Sequence, residues 1–387
     1  MPDPAQSPTA ASGEPVADPL EPEDRPTSQI LVRVLAGIAV GTLGGGIFYL
    51  LHMPLPWTLG SMIFAMIAAI GRAPILPPAR LRPALVTVIG VMLGSGFSPD
   101  LVDRLDDWAI SLSLLGLYLL IAGFLAVPFY QRFGGFDRVT AFCSGMPGGL
   151  MEMVTLGKDL GGDERKIILA HAARIVVTIC LVSFWFRIVE GQSVGSALTK
   201  NNPLDLPDII LLVLCGVVGS VVATKLRLPA ASLMGPMLLS AAVHITGLTA
   251  SAPPALLVIA AQVLMGTIMG CRFLGAGLRE VTQALALSFG ATVMTLALTL
   301  VFAALFGAVM MQTPAQIVLA YAPGGLTEMS LIALAMKAEV AYVASHHIAR
   351  IVLLVALAPL VLTLMEKRRS SRKAGQTDTA AKDAPDE

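Results

Sequence analysis

Residues 146–153 read MPGGLMEM and residues 322–329 read APGGLTEM, one motif written twice at an offset of 176, with six of eight positions identical. Working outward at that offset, His171, Ala173, Arg174, Ile175 and Val176 meet His347, Ala349, Arg350, Ile351 and Val352. Upstream, Gly90, Gly94 and Phe97 meet Gly266, Gly270 and Phe273, and Gly60 and Met62 meet Gly235 and Met237 after a one-residue length change. One register kept across so many separate segments predicts a tandem duplication. The first repeat is read at 29–190 and the second at 206–366, joined by a polar linker at 191–205 that contains Lys200, Asn201, Asn202 and Pro203.

The repeats are membrane-embedded by composition. The chain has 387 residues, of which 55% are hydrophobic and only 13% charged. That is about half the charge of a soluble globular domain, and the mean hydropathy is +0.77. Six acidic residues and seven prolines crowd residues 1–28, which read as a disordered acidic cytoplasmic tail rather than a cleavable signal. Residues 367–387 form a second tail, basic and then mixed in charge. Its Lys367, Arg368, Arg369, Arg372 and Lys373 mark a cytoplasmic end with affinity for anionic lipid. No basic soluble domain is left to bind nucleic acid. The cysteines Cys143, Cys180, Cys215 and Cys271 lie in apolar segments without a CxxC pair and read as packing residues.

Apolar runs fall at 30–51, 57–71, 84–98, 109–130, 139–157 and 167–189, then at 208–224, 231–247, 255–271, 283–311, 315–336 and 340–365. A spanning helix needs roughly 20 residues, so the runs at 57–71 and 84–98 are marginal. With the amino terminus inside, Arg72, Arg80 and Arg82 are cytoplasmic and the acidic stretch Asp100, Asp103, Asp106 and Asp107 is external. In the second repeat the basic pairs Lys225/Arg227 and Arg272/Arg279 fall one crossing out of phase with those of the first. The halves are therefore expected to be inverted, which requires an odd number of crossings in each. The run carrying Pro-Gly-Gly is the natural one to enter and leave on the same side, since it cannot continue a helix smoothly. Lys158, Arg165 and Lys166 then fall inside as well. The expected fold is an all-α polytopic membrane protein of two homologous, inverted halves, each with about five transmembrane helices and one re-entrant or broken helix.

Chemistry is concentrated at the motifs. Glu152 and Glu328 are carboxylates in apolar sequence, suited either to carrying a proton or to complementing the start of a helix after the break. His171 and Arg174, like His347 and Arg350, share a helix face. The arginines are expected to neutralise the motif glutamates, to bind substrate, or to alternate between the two. Gly148, Gly149, Gly324 and Gly325 let backbone approach a ligand, and a helix beginning there favours an anion. These ten residues form the expected substrate- and ion-binding set. His346, next to His347, points about 100° away from it around the helix. With five histidines and no HExxH or Cys/His cluster, neither a metal site nor a cofactor is expected.

The doubled Pro-Gly-Gly-Leu-x-Glu-Met motif, each copy followed by His-x-x-Arg, resembles the membrane AbrB duplication family of Gram-negative bacteria, over residues 30–366. That resemblance implies a multi-pass inner-membrane protein with two copies of one domain, labelled a regulator of gene expression and formerly an ammonia monooxygenase. Neither label is a mechanism. Inverted halves with interrupted helices are the pattern of secondary transporters. The leading expectation is transport of a small, anionic solute coupled to protons or sodium, with the lipid bilayer as surroundings. The alternative is a membrane regulator acting indirectly on gene expression, and an enzyme is not expected. Assembly into a homo-oligomer is left open.

Overall fold

The computed structural model describes residues 27–97, 105–189, 205–228, 230–336 and 338–357, and every regular element in them is a helix. The expected tails and linker lie almost wholly outside the described residues; of the first tail, Thr27 and Ser28 are described and already belong to the first helix, two residues earlier than expected. The helices are α1 (Thr27–Leu50), α2 (Pro56–Ile70), α3 (Arg82–Gly94), α4 (Leu105–Gly134), α5 (Arg138–Gly145), α6 (Leu150–Asp159) and α7 (Glu164–Val189). They continue with α8 (Leu206–Lys225), α9 (Ala231–Ile245), α10 (Ala255–Gly270), α11 (Leu278–Met310), α12 (Pro314–Tyr321), α13 (Leu326–Ala335) and α14 (Val340–Leu357). Seven are long and apolar enough to cross a membrane: α1, α4, α7, α8, α10 with its short 3-10 extension, α11 and α14. Helices suit such sequence because they satisfy their own backbone where no water is available.

The motif runs are two helices each, not one. Pro147 has no N–H to give α5 and forces Met146 into extended backbone (φ −71°, ψ 131°). Pro323 does the same to Ala322 after α12 (φ −52°, ψ 142°). The chain then doubles back. A Cβ on Gly157 of α6 would lie 3.4 Å from Cys143 Sγ of α5, whereas 14 residues of continuous helix would separate them by roughly 21 Å. The open end of this hairpin is tied where the Asp163 N–H donates to Thr140 Oγ1 at 2.8 Å. Asp137 caps α5 there, accepting from the Val139 and Thr140 N–H groups, and Thr313 caps α12 in a capping box with Gln316. In the second run α12 likewise packs on α13.

Between α1–α7 and α8–α14 the packing is crossed. Helix α2 packs on α10 and α3 on α9, beside the local pairs α1 on α2 and α8 on α9. Glycines make these contacts possible. Gly44 and Gly60 bring the backbones of α1 and α2 together, and Gly219 and Gly235 do the same for α8 and α9. A Cβ on Gly90 of α3 would meet Leu233 O of α9 at 2.7 Å, and one on Gly266 of α10 would meet Thr58 O of α2 at 2.6 Å. In lipid such close backbone approach supplies much of the helix association. In the Gly44–Gly46 run, Gly44 and Gly45 face α2, while a Cβ on Gly46 would meet nothing within 4 Å.

Polar ends gather in the same way. Arg165, in the first turn of α7, donates to Gly275 O at 2.9 Å and to Glu280 Oε2 at 2.8 Å at the start of α11. Lys166 lies over the Phe136 ring. At α8, Asp208 accepts from Thr249 Oγ1 and Ser251 Oγ of the α9–α10 connection.

Candidate functional site

Each hairpin turns at its Pro-Gly-Gly tip and exposes the last carbonyls of its first arm, which have no helical partner. In the first repeat Arg174, midway along α7, reaches these groups: Nη1 donates to Ser144 O at 3.0 Å and to Met146 O at 3.1 Å. In the second, Arg350 of α14 donates from Nη1 to Ala322 O and from Nη2 to Gly324 O, both at 2.7 Å. A cation at a helix carboxyl end is favoured by the helix dipole as well as by these bonds.

The histidines lock the arginines. His171 Nε2 lies 2.8 Å from Cys143 O, and its Nδ1 lies 2.8 Å from Arg174 Nη2. His347 repeats the arrangement with Leu319 O at 2.9 Å and Arg350 Nη2 at 2.9 Å. A carbonyl only accepts and a guanidinium only donates. Each ring must therefore carry its hydrogen on Nε2 and be neutral.

The glutamates take the opposite pole. Glu152 and Glu328 stand in the first turns of α6 and α13, and their carboxylates fold back so far that a Cβ on Gly149 or Gly325 would overlap them. Glu328 also accepts from Thr327 Oγ1 at 2.8 Å. This corrects the expectation that the arginines neutralise the motif glutamates: among the described residues no ion pair joins them. The reason is local. The break frees two unlike helix ends, carbonyls on one arm and N–H groups on the other. Arginine goes to the first and glutamate to the second. Gly148 and Gly324 leave room for the buried side chains of Met153 and Met329, whose nearest atoms would lie 2.9 Å and 2.7 Å from an added Cβ.

Both tips reach one cavity. Its wall includes Pro147 and Arg174 from the first repeat and Pro323 from the second, with Tyr118 and Tyr130 of α4 and Thr295 of α11. It has room for about one water molecule. Arg350 lies within electrostatic reach of Arg174. Arg174 and Arg350 are 5% and 3% exposed, yet each has an Nε without a hydrogen-bond partner. The Tyr130 hydroxyl, beside Ser288, makes no hydrogen bond of standard length. Two cations thus sit at the heart of the molecule, and no carboxylate is in ion-pair range of either among the described residues. All ten expected site residues are at the two tips or on the helices that hold them. Sequence reasoning missed Tyr118, Tyr130 and Thr295. The two tyrosines interrupt an apolar run, but nothing in the sequence turns them toward the motifs.

A second polar cluster adjoins this one. Ser111 Oγ of α4 lies 2.6 Å from Tyr342 Oη and 2.8 Å from His346 Nε2 of α14, and Tyr321 Oη donates to Ser111 O at 2.5 Å. Among the described residues no group of three or more His, Cys, Asp and Glu side chains comes together to hold a metal ion.

A family model described as "Transition state regulatory protein AbrB" matches residues 57–366. A Bacillus subtilis (strain 168) protein named "Uncharacterized protein YhjN" is 23% identical over 367 residues, covering 89% of this chain and 96% of its own. An Escherichia coli (strain K12) protein named "Putative regulator AbrB" is 24% identical over 341 residues, covering 84% of this chain and 94% of its own.

Proposed function

This chain belongs to the AbrB family, a name that states no mechanism, and we propose from its paired hairpin tips that it is a secondary transporter of a small anionic solute. One observation carries the reading. Two interrupted helices, one from each repeat, end at a single cavity with a buried guanidinium in its wall and another close by. Buried charge without a counter-charge is costly, and an anion arriving between the tips would offset that cost. The free Nε of each arginine and the Tyr130 hydroxyl are the donors it would meet.

The two repeats act as inverted halves around this site. The crossed packing of α2 on α10 and α3 on α9 is the reciprocal pattern that a two-fold axis produces. Gathering Arg165, Lys166 and Gly275 at one end agrees with a common cytoplasmic side for the basic loops. The hairpins are then re-entrant, and alternate exposure of the cavity to either side moves the solute, with a proton or sodium gradient as driving force. The protein is not an enzyme, and it lies in the inner membrane with both termini cytoplasmic. The printed name of the Escherichia coli relative supports a second reading, a membrane regulator whose effect on gene expression is indirect.

The test is reconstitution. Proteoliposomes should take up one or more of phosphate, sulfate, acetate and lactate in a saturable, gradient-dependent way, and Arg174→Gln should abolish it. The reading fails if no anion accumulates above protein-free vesicles under any gradient and none raises the melting temperature of the purified protein.

A further inference from the structure

His346 differs from the other motif-helix histidines in what its free nitrogen faces. It is fully buried. Its Nδ1 lies 2.8 Å from Tyr342 O one turn back, so that nitrogen carries the hydrogen. Its Nε2 accepts from Ser111 Oγ at 2.8 Å, and Ser111 Oγ in turn accepts from Tyr342 Oη at 2.6 Å. His171 and His347 cannot gain a proton, because each Nδ1 is held by an arginine donor. The partner of His346 Nε2 is a hydroxyl, which can reverse its direction.

We propose that His346 is the proton-binding residue of this protein and that Tyr342 and Ser111 load it. The step balances without other reactants. A proton reaches Tyr342 Oη, Tyr342 passes its own hydrogen to Ser111 Oγ, and Ser111 passes its hydrogen to Nε2. Each hydroxyl ends with one hydrogen pointing the other way, and the imidazolium holds the charge. Glu339, half-buried one turn before Tyr342, lies within its electrostatic reach. At the other end the Tyr321 ring lies 5.7 Å from His346 and 5.1 Å from Tyr118, which lines the cavity between the hairpin tips. The groups around His346 are Ser111 of α4, Tyr321 of α12, and Tyr342, Glu339, His347 and Arg350 on its own segment.

The site belongs to the second repeat alone. At the 176 offset the places of His346, Tyr342, Tyr321 and Ser111 hold Ala170, Lys166, Gly145 and Leu287. One proton per cycle is therefore the expected stoichiometry. Coupling of that proton to a solute rests on the transporter reading; the proton site does not.

Trp108 reports on the cluster, since its ring lies 5.8 Å from that of Tyr342. With Trp57→Phe and Trp185→Phe leaving it as the sole tryptophan, the full chain in nanodiscs is titrated from about pH 8 to about pH 4. A one-proton fluorescence transition that His346→Gln removes is expected. A flat response, or a transition that survives His346→Gln, overturns the proposal. Should that variant fold poorly, 15N-histidine spectra of the His244→Gln chain decide, since His244 is the other buried ring not held by an arginine: one buried ring gaining a proton supports the site, and none overturns it. Proteoliposomes with a pH-sensitive dye inside then separate the two readings, with phosphate and acetate as probes. Under a one-unit gradient, one proton per anion allows about tenfold accumulation. His346→Gln should keep anion exchange and lose that accumulation; equal accumulation overturns its coupling role. A proton transition with no anion movement retires the transporter reading and leaves the proton site standing.

Discussion

Arg174 and Arg350 spend their hydrogen bonds on backbone carbonyls and on the neighbouring histidine, none on a motif glutamate, and that decides how substitutions there should combine. Arg174→Gln removes charged donors from two carbonyls and should cost about 2 kcal/mol. Glu152→Gln, at the other pole of the break, should cost a few tenths to about 1 kcal/mol. Because the two side chains share no bond, their effects should add to within about 0.5 kcal/mol in the double variant; thermal unfolding of all four proteins in detergent measures this. The glutamate, arginine and histidine of each motif were legible because polar residues in apolar sequence announce themselves. The pairing was not, since a backbone carbonyl has no letter of its own. Asp137 gives a pH prediction at the same scale. Burial alone would raise its carboxyl, but the Thr140 hydroxyl and the Thr140 and Val139 N–H groups outweigh it and hold the group below the usual aspartate value. The stability it lends is fully present above the unfolded-state value and is lost as pH falls through the lower folded one. Protection from hydrogen exchange at residues 138–141, taken relative to the intrinsic rate at each pH, should fall with acid in the unaltered chain, and Asp137→Asn should remove that dependence.

The hairpin is the element on which the fold turns. Its break was legible in Pro147 and Pro323. Its fold-back was legible only indirectly, through the parity of basic loops, because an apolar run from 139 to 157 reads alike as one bent helix or two antiparallel ones. Helix packing was less legible still. Gly60, Gly90, Gly235 and Gly266 stand out as repeated positions, but nothing in the chain says that Gly90 faces the second repeat while Gly60 faces the first. Geometry now separates equivalent-looking glycines. Gly60→Ala or Gly235→Ala drives a Cβ into the backbone of a neighbouring helix and should cost more than about 2 kcal/mol. Gly46→Ala, with nothing within 4 Å, should change stability by less than about 0.5 kcal/mol. Melting temperatures of the three variants check the order.

At the scale of the whole molecule, inversion makes a prediction about sides. Single cysteines at positions 106 and 201 should react with an impermeant reagent from outside the cell, and one at position 80 should not; labelling of 201 from the cytoplasm alone would rule out inverted halves. The doubled motif stands out in the sequence because identity survives at a fixed offset, whereas the crossed helix packing arises from pairings between residues as far apart as Gly90 and Leu233. That crossing also bears on how the protein is made. When the ribosome has finished α7, the surfaces of α2 and α3 that will receive α10 and α9 have no partner yet. Gly90 and Gly94 are then shallow notches with nothing in them. The nascent α1–α7 segment lacks the partners of α2 and α3 until α9 and α10 have been made. The chain is one body in which α1 can close on α2 early, while the seats of Gly90 on α9 and of Gly266 on α2 stay empty until synthesis has passed α9 and α10.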